Sequence, residues 1–139
     1  MEATQASRRS ISAPIAIGEL IDKITILEIK AERIADAAKL RNVNAELTIL
    51  KEIRFAAGLD TPDMKPLAEQ LKTINAELWD IEDDIRKLED CQDFGDRFIA
   101  LARSVYLTND RRSRVKQAIN VKFGSDIVEE KSYAGPQPL

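Results

Sequence analysis

The spacing of apolar residues along the chain predicts a protein built from helices. In the densest apolar segment, Ile17 to Ile34, apolar positions recur at steps of three and four residues, which is the period of one helix face. Ile26 and Ile29 fall almost opposite that main stripe. Because a helix that is apolar on two faces must be covered on two sides, we expect the first helix, over about 18–35, to lie between other helices or subunits.

Glu28 is the odd residue in the main stripe of this helix. Its angle places it between Ile17 and Ile21. A buried carboxylate without a partner is costly, so the position has two interpretations. Either Glu28 lies at the edge of the stripe and reaches water, or it belongs to a polar site inside the bundle with a cation or several donors beside it. At the start of the same helix, Gly18 suits the N-cap.

A second helix is predicted from a change of phase in the apolar pattern. The stripe through Ile34 does not continue, which places a turn at 36–41 and a helix at about 42–57. Gly58 suits the end of this helix. The segment GLDTPDMKP that follows has the composition of a loop, and Asp63 within it can cap the third helix.

The third helix has the most regular pattern in the chain. Apolar residues from Leu67 to Leu88 alternate steps of four and three residues, which is an a/d heptad pattern. Since the neighbouring helices also need cover, the pattern favours an antiparallel helical hairpin over a parallel dimeric zipper. Trp79 lies beside this seam, where it can anchor the first helix or another subunit.

A fourth helix is predicted from about Asp93 to Phe123, and Gly124 ends it. Asn109 and Asp110 are poor helix formers, but the apolar register continues beyond them, so the helix is expected to be continuous or gently broken. The predicted fold is all-α and like a four-helix bundle, built from antiparallel helical hairpins with extended N- and C-terminal tails. The chain then divides into a disordered arm at 1–13, a single helical domain at 14–125 and an extended tail at 126–139.

Composition narrows the possible functions. The 139 residues carry 21 basic and 24 acidic side chains, a net charge of −3, which disfavours nucleic-acid binding and binding to an anionic membrane. The chain has no histidine, so we expect neither a metal nor a cofactor. Cys91 is the single cysteine; it indicates a reducing, cytoplasmic location and is expected to fill a small apolar space. No run of residues is apolar enough to span a membrane.

Charge is segregated between the last two helices. Residues 77–96 hold nine acidic and two basic residues, whereas residues 103–122 hold six basic residues and one acidic residue. Adjacent antiparallel helices of opposite charge would complement each other along their length, which requires no ligand. The alternative is a phosphate-sized anion site beside Asn109 and Asp110, formed by four basic residues: Arg111, Arg112, Arg114 and Lys116.

Several blocks of sequence resemble one bacterial domain family of unknown function. The blocks are GELIDKITILEIKAERI, Asn42-Val43, Glu46-Leu47, LWDIEDDIR, FIALAR with the VY and ND that follow it, and GS with the later EEKSY; together they extend from Pro14 to Tyr133. The resemblance implies a small helical domain, either standing alone or attached to tetratricopeptide-repeat or sugar-transfer proteins, with a role in envelope or glycan metabolism. The matching polar residues are Glu19, Asp22, Lys23, Glu28, Lys30, Arg33, Asn109, Asp110, Arg111, Glu130, Lys131 and Tyr133.

The first helix is also similar to that of the small helical chorismate mutases, on the basis of Asp22 followed by Arg33. This weaker resemblance implies binding of a dicarboxylate by arginines and lysines inside a helical dimer. The spacing departs from that family, because Lys39 follows Arg33 too soon and no partner set follows on the second helix.

Two functions are consistent with these observations. The first is a cytoplasmic interaction or accessory module that associates with itself or with another protein. The alternative is a protein or enzyme that binds a small anionic or sugar-phosphate ligand within the helical bundle, and it requires the basic side chains to converge on one closed pocket. The candidate binding residues are Glu28, Arg33, Asn109, Asp110, Arg111 and Lys116.

Overall fold

The computed structural model describes residues 7–134, which form four helices and no strand. The prediction of an all-α, four-helix fold is confirmed. The disordered N-terminal segment predicted at 1–13 and the extended tail predicted at 126–139 lie partly outside the described residues. Whether they are disordered or extended stays a prediction. None of the four helices is apolar over a length that would cross a bilayer. The helices are α1 (Ile17–Arg33), α2 (Ala37–Ala56), α3 (Met64–Asp90) and α4 (Asp96–Phe123).

The first helix is the centre of the structure. α1 packs against α2, α3 and α4, whereas the backbone of α2 runs close to no other described helix than α1. Ile21 and Ile24 on the main stripe are buried, and so is Ile29 on the opposite side, while Ile26 is half-buried. The expectation that other helices cover α1 on two sides is therefore confirmed.

The apolar core lies at one end of the bundle. It forms where the start of α1 meets the end of α2, the start of α3 and the end of α4, and its fully buried members include Ile21, Leu71 and Ile119. Each such aliphatic side chain contributes about 1.5–3 kcal/mol through burial. Leu47 and Leu50, late in α2, pack against this cluster, so α2 runs antiparallel to α1.

The last two helices form the predicted antiparallel hairpin. Ion pairs join Glu77 to Arg111 and Asp84 to Arg97, so residue numbers rise along α3 as they fall along α4. With 27 and 28 residues, α3 and α4 are each about 40 Å long, whereas the 17 residues of α1 span about 26 Å. The hairpin therefore extends beyond α1, and we call this projecting part, residues 80–106, the arm.

Several predicted boundaries are wrong. The turn predicted at 36–41 occupies 34–36, because the Asp36 carboxylate accepts a hydrogen bond from the backbone N–H of Lys39 and starts α2 there. Asp63 makes no side-chain capping bond at the start of α3, and α4 begins at Asp96 rather than at Asp93. Cys91 is exposed at the end of α3 and fills no apolar space.

The glycines at helix ends behave as predicted, but Gly18 does not. Gly58 and Gly124 have φ values of 72° and 67°, the left-handed conformation that ends a helix and that glycine adopts without strain. The N-cap of α1 is Ala16, so Gly18 lies inside the helix. α4 runs through Asn109 and Asp110 without interruption.

Candidate functional site

A buried ion pair lies where α1, α3 and α4 meet. Asp22 of α1 is completely buried, and Arg112 of α4 donates to both of its oxygens, from Nε to Oδ1 at 2.9 Å and from Nη2 to Oδ2. Asn75 of α3 donates to Oδ1 at 2.9 Å. These hydrogen bonds compensate the burial of the carboxylate, and the bonds to Asp22 raise the pKa of Arg112 above its ordinary value. One carboxylate thus joins three helices.

The side chain of Thr25 completes the inner side of this site. Asn75 Nδ2 donates to Thr25 Oγ1 at 3.0 Å as well as to Asp22, and the Thr25 hydroxyl donates to the Asp22 carbonyl at 2.8 Å. All three side chains are buried. These bonds fix the orientation of the Asn75 amide. The Asp22 carboxylate still accepts hydrogen bonds from Arg112 at both of its oxygens.

Lys116 extends the network toward the end of α4. Its Nζ donates to Glu19 at 2.7 Å and to Glu129 at 3.0 Å, and lies 3.9 Å from Asp22 Oδ2. Burial opposes the charged form of this lysine, but the hydrogen bonds to its two carboxylate partners outweigh burial and raise the pKa of Lys116. Hydrogen bonds from Lys131 and Lys116 in turn lower the pKa of Glu129 to about 2. The network pairs three acidic with three basic side chains.

Gly18 allows α1 to approach α4 closely enough for these contacts. A Cβ atom at this position would lie 2.4 Å from the carbonyl oxygen of Lys116 and 3.0 Å from Oδ1 of Asn120. The Gly18 N–H instead donates to that Asn120 oxygen at 2.7 Å. The close approach brings Glu19 and Asp22 within reach of the basic side chains of α4.

A cleft of about 570 Å³ opens beside the buried pair, between the second half of α1 and the hairpin. The apolar lining comes from Ile26, Ile29, Leu78 and Trp79, and the polar lining includes Arg112, Asn109 and Asn75. Arg112 Nη1 makes one contact with the described residues, a long one of 3.5 Å to Asn109 Oδ1. The guanidinium therefore keeps N–H groups that can donate within the cleft.

The predicted binding residues do not share one pocket. Arg33 pairs with Asp80 at 2.7 Å and lies over the Trp79 ring, 5.7 Å from its centre. Arg111 pairs with Glu77 at 2.8 Å. Residues 111 and 112 differ by about 100° around α4, so consecutive arginines face different neighbours. The four-residue basic cluster is split accordingly: Arg112 and Lys116 face α1, whereas Arg111 and Arg114 line a separate groove along α3.

The remaining predicted site residues have separate environments. Lys116 and Asn109 belong to the network around Asp22. Glu28 is half-buried. The pKa of Lys72 on α3 is raised, mainly by its hydrogen bond to Glu32 and to a smaller extent by the charge of Glu28. Asp110 is half-buried on α4 and makes no ion pair within residues 7–134. The convergence that the small-ligand alternative required at Arg33, Arg111 and Lys116 is absent from the described chain.

Sequence reasoning did not select the centre of the network as a site. Asp22 and Arg112 lie 90 residues apart, and no local pattern pairs them. Asn75 follows an apolar seam position and has no distinguishing neighbour in the sequence. Two signals were available. The basic cluster of the candidate anion site contained Arg112 and Lys116, and four of the polar residues that carry the resemblance lie in the network: Glu19, Asp22, Asn109 and Lys131.

The chain belongs to the Family of unknown function (DUF6165), whose sequence profile matches residues 11–138. This finding confirms membership in a domain family of unknown function over almost the full length. No curated protein and no solved structure matches the chain.

Proposed function

We propose that this chain is a helical self-association module in which the arm, residues 80–106, pairs with the arm of a second copy. The observation that carries the proposal is the difference in helix length. α1 lies against one side of the α3–α4 hairpin, and that side of the hairpin continues along the arm after α1 has ended.

Two large apolar residues of the arm are exposed. Ile99 and Tyr106 lie seven residues apart, which places them on one face of α4, and they are 53% and 54% exposed. Large apolar residues on one helix flank are typical of a surface that a second helix covers.

The charges of the arm favour a second copy as the occupant. Glu89 on α3 and Arg103 on α4 make no ion pair within the described part of the chain. A two-fold axis with antiparallel arms places α3 of one copy against α4 of the other, so charges of opposite sign meet across the interface. The same surface is then used by both copies.

We further propose that self-association serves an accessory role in the cytoplasm. The resemblance implies a domain that either stands alone or is attached to sugar-transfer domains, and dimerisation of such an enzyme is a role that needs no catalytic residues here. An enzyme of envelope glycan assembly is therefore the first class of partner to test.

Size-exclusion chromatography with light scattering tests the proposal on three proteins. The wild type is expected at about 31 kDa, twice the 15.6 kDa of one chain. Ile99→Lys should run as a monomer. Val121→Lys is the matched control, because Val121 is 76% exposed on α4 but lies outside the arm, and it should remain dimeric. Circular dichroism checks that all three proteins are folded. A monomeric wild type at high micromolar concentration, or an unchanged dimer of Ile99→Lys, would contradict the proposal.

A further inference from the structure

We infer that the cleft beside Arg112 binds a small organic carboxylate with an apolar body. The inference goes beyond self-association, because Arg112 and the apolar lining residues Ile26, Ile29, Leu78 and Trp79 lie outside the arm. It rests on three features of the cleft: a fixed guanidinium with free donors, apolar walls, and the balance of charge around them.

The guanidinium of Arg112 is the polar end of the cleft. Its Nε and Nη2 donate to Asp22, and these two bonds fix the orientation of the group. The guanidinium has five N–H groups, and those on Nη1 do not bind Asp22. The side chain is 27% exposed, so a solute can reach it. A planar guanidinium edge matches a carboxylate, and a donor group held in place loses little entropy on binding.

The apolar side chains of the cleft suit the body of such a ligand. Ile26, Ile29 and Leu78 supply aliphatic surface, and Trp79 supplies a ring against which a second ring can pack. The volume of about 570 Å³ falls within the range of roughly 300–1,000 Å³ that is typical of small-molecule sites.

The charges around the cleft favour a single negative charge over a dianion. Asp22 already neutralises Arg112. The other charged residues of the lining are two carboxylates, Glu82 and Asp83, and one cation, Arg86. A phosphate dianion would meet repulsion from these carboxylates, whereas a carboxylate carries one charge and accepts N–H donors in a plane. A monocarboxylate therefore meets less repulsion in the cleft than a phosphate dianion does.

Fluorescence of Trp79 offers a direct assay, because this residue is the only tryptophan in the chain and lines the cleft. Phenylacetate should change its emission saturably. Phenylacetamide, which has the same shape without the charge, should bind about tenfold more weakly or worse, and inorganic phosphate should not compete. Equal binding of the acid and the amide, displacement by phosphate, or no saturable change with phenylacetate would overturn the inference.

Two substitutions on α4 sharpen the test without removing the buried pair. Asn109→Asp places a second carboxylate beside the free edge of Arg112 and should weaken phenylacetate binding by about tenfold or more. Gln117→Glu makes the same change from amide to acid at an exposed position and should leave binding unchanged. Ile99→Lys should also bind phenylacetate normally, which separates this inference from self-association. Wild-type affinity in Asn109→Asp would refute the role of Arg112.

Discussion

Substitution of Asp22 by Asn tests whether the buried pair holds α1, α3 and α4 together. The change keeps the size of the side chain but replaces one carboxylate oxygen by an amide nitrogen, which donates. Arg112 and Asn75 together direct three donors at the two oxygens, so at least one donor loses its acceptor. Arg112 also loses its closest counter-charge.

The magnitude follows from the burial of the two partners. Removing one member of a buried ion pair costs about 3–5 kcal/mol, and because Arg112 keeps 27% of its side chain exposed, water offsets part of that, leaving about 2–4 kcal/mol. For a domain of this size such a loss lowers the unfolding temperature by roughly 10 °C. Such a loss is a substantial part of the total stability of a small domain, which is about 5–15 kcal/mol.

Urea unfolding followed by circular dichroism measures this loss at pH 7. Asp126→Asn is the matched control, because Asp126 is exposed and makes no ion pair within residues 7–134; its effect should stay within about 0.5 kcal/mol. The double variant Asp22→Asn/Arg112→Gln should be destabilised by about 1–3 kcal/mol less than the sum of its single variants. If Asp22→Asn unfolds within about 0.5 kcal/mol of the wild type, the pair does not anchor the three helices.

Three further predictions concern single positions. Gly18→Ala should destabilise the protein by about 1–3 kcal/mol in urea unfolding, because the clash of its Cβ with the Lys116 carbonyl oxygen at 2.4 Å outweighs the gain in helix propensity. Unchanged stability would show that α1 and α4 can move apart at little cost. The pKa of Glu129 is about 2 in the folded protein against an ordinary 4.5, so its ion pairs stabilise the protein fully above about pH 4.5 and are lost as the pH falls toward 2. Glu129→Gln should therefore have a lower free energy of unfolding than the wild type at pH 7, and the difference should be smaller at pH 3. An equal difference at both pH values would contradict the lowered pKa. Leu71→Ala, at a fully buried position, should cost about 2–5 kcal/mol in calorimetry or urea unfolding, whereas Ile53→Ala, where 48% of the residue is exposed, should cost less than about 1 kcal/mol, and comparable losses would place the core elsewhere.

The helices could be predicted from the sequence because burial imposes a period on it. The stripe through Ile21 and Ile24 and the heptads from Leu67 to Leu88 are local patterns, and they identified α1 and α3 with errors of only a few residues at the ends. The turn before α2 was misplaced because no glycine or proline marks it, and a single capping residue, Asp36, decides where the helix starts.

The candidate site was harder to predict because it depends on contacts between distant residues. Arg111 and Arg112 are neighbours in the sequence, yet one pairs with Glu77 on α3 and the other with Asp22 on α1. Which of them faces α1 depends on the rotation of α4 against the other helices, and Gly18 influences that arrangement by allowing a close approach that no local pattern signals. A cluster of basic residues in sequence was therefore a poor guide to a cluster in space.

The buried network has a structural role that self-association can use. Buried ion pairs add little net stability, but they favour one arrangement of helices over alternatives, because any other register leaves a charge unpaired. Here the pair fixes α1 at one end of the hairpin and leaves the arm free. On this account the position of Asp22 determines how much of the α3–α4 hairpin is available to a second copy.

Amide hydrogen exchange at low and high protein concentration tests most directly whether the arm pairs with a second copy. If the arms pair, exchange slows with concentration at residues 80–106, Ile99→Lys abolishes this effect, and α2 exchanges at the same rate throughout. Exchange that is independent of concentration along the arm, or protection that appears on α2 instead, would contradict this pairing.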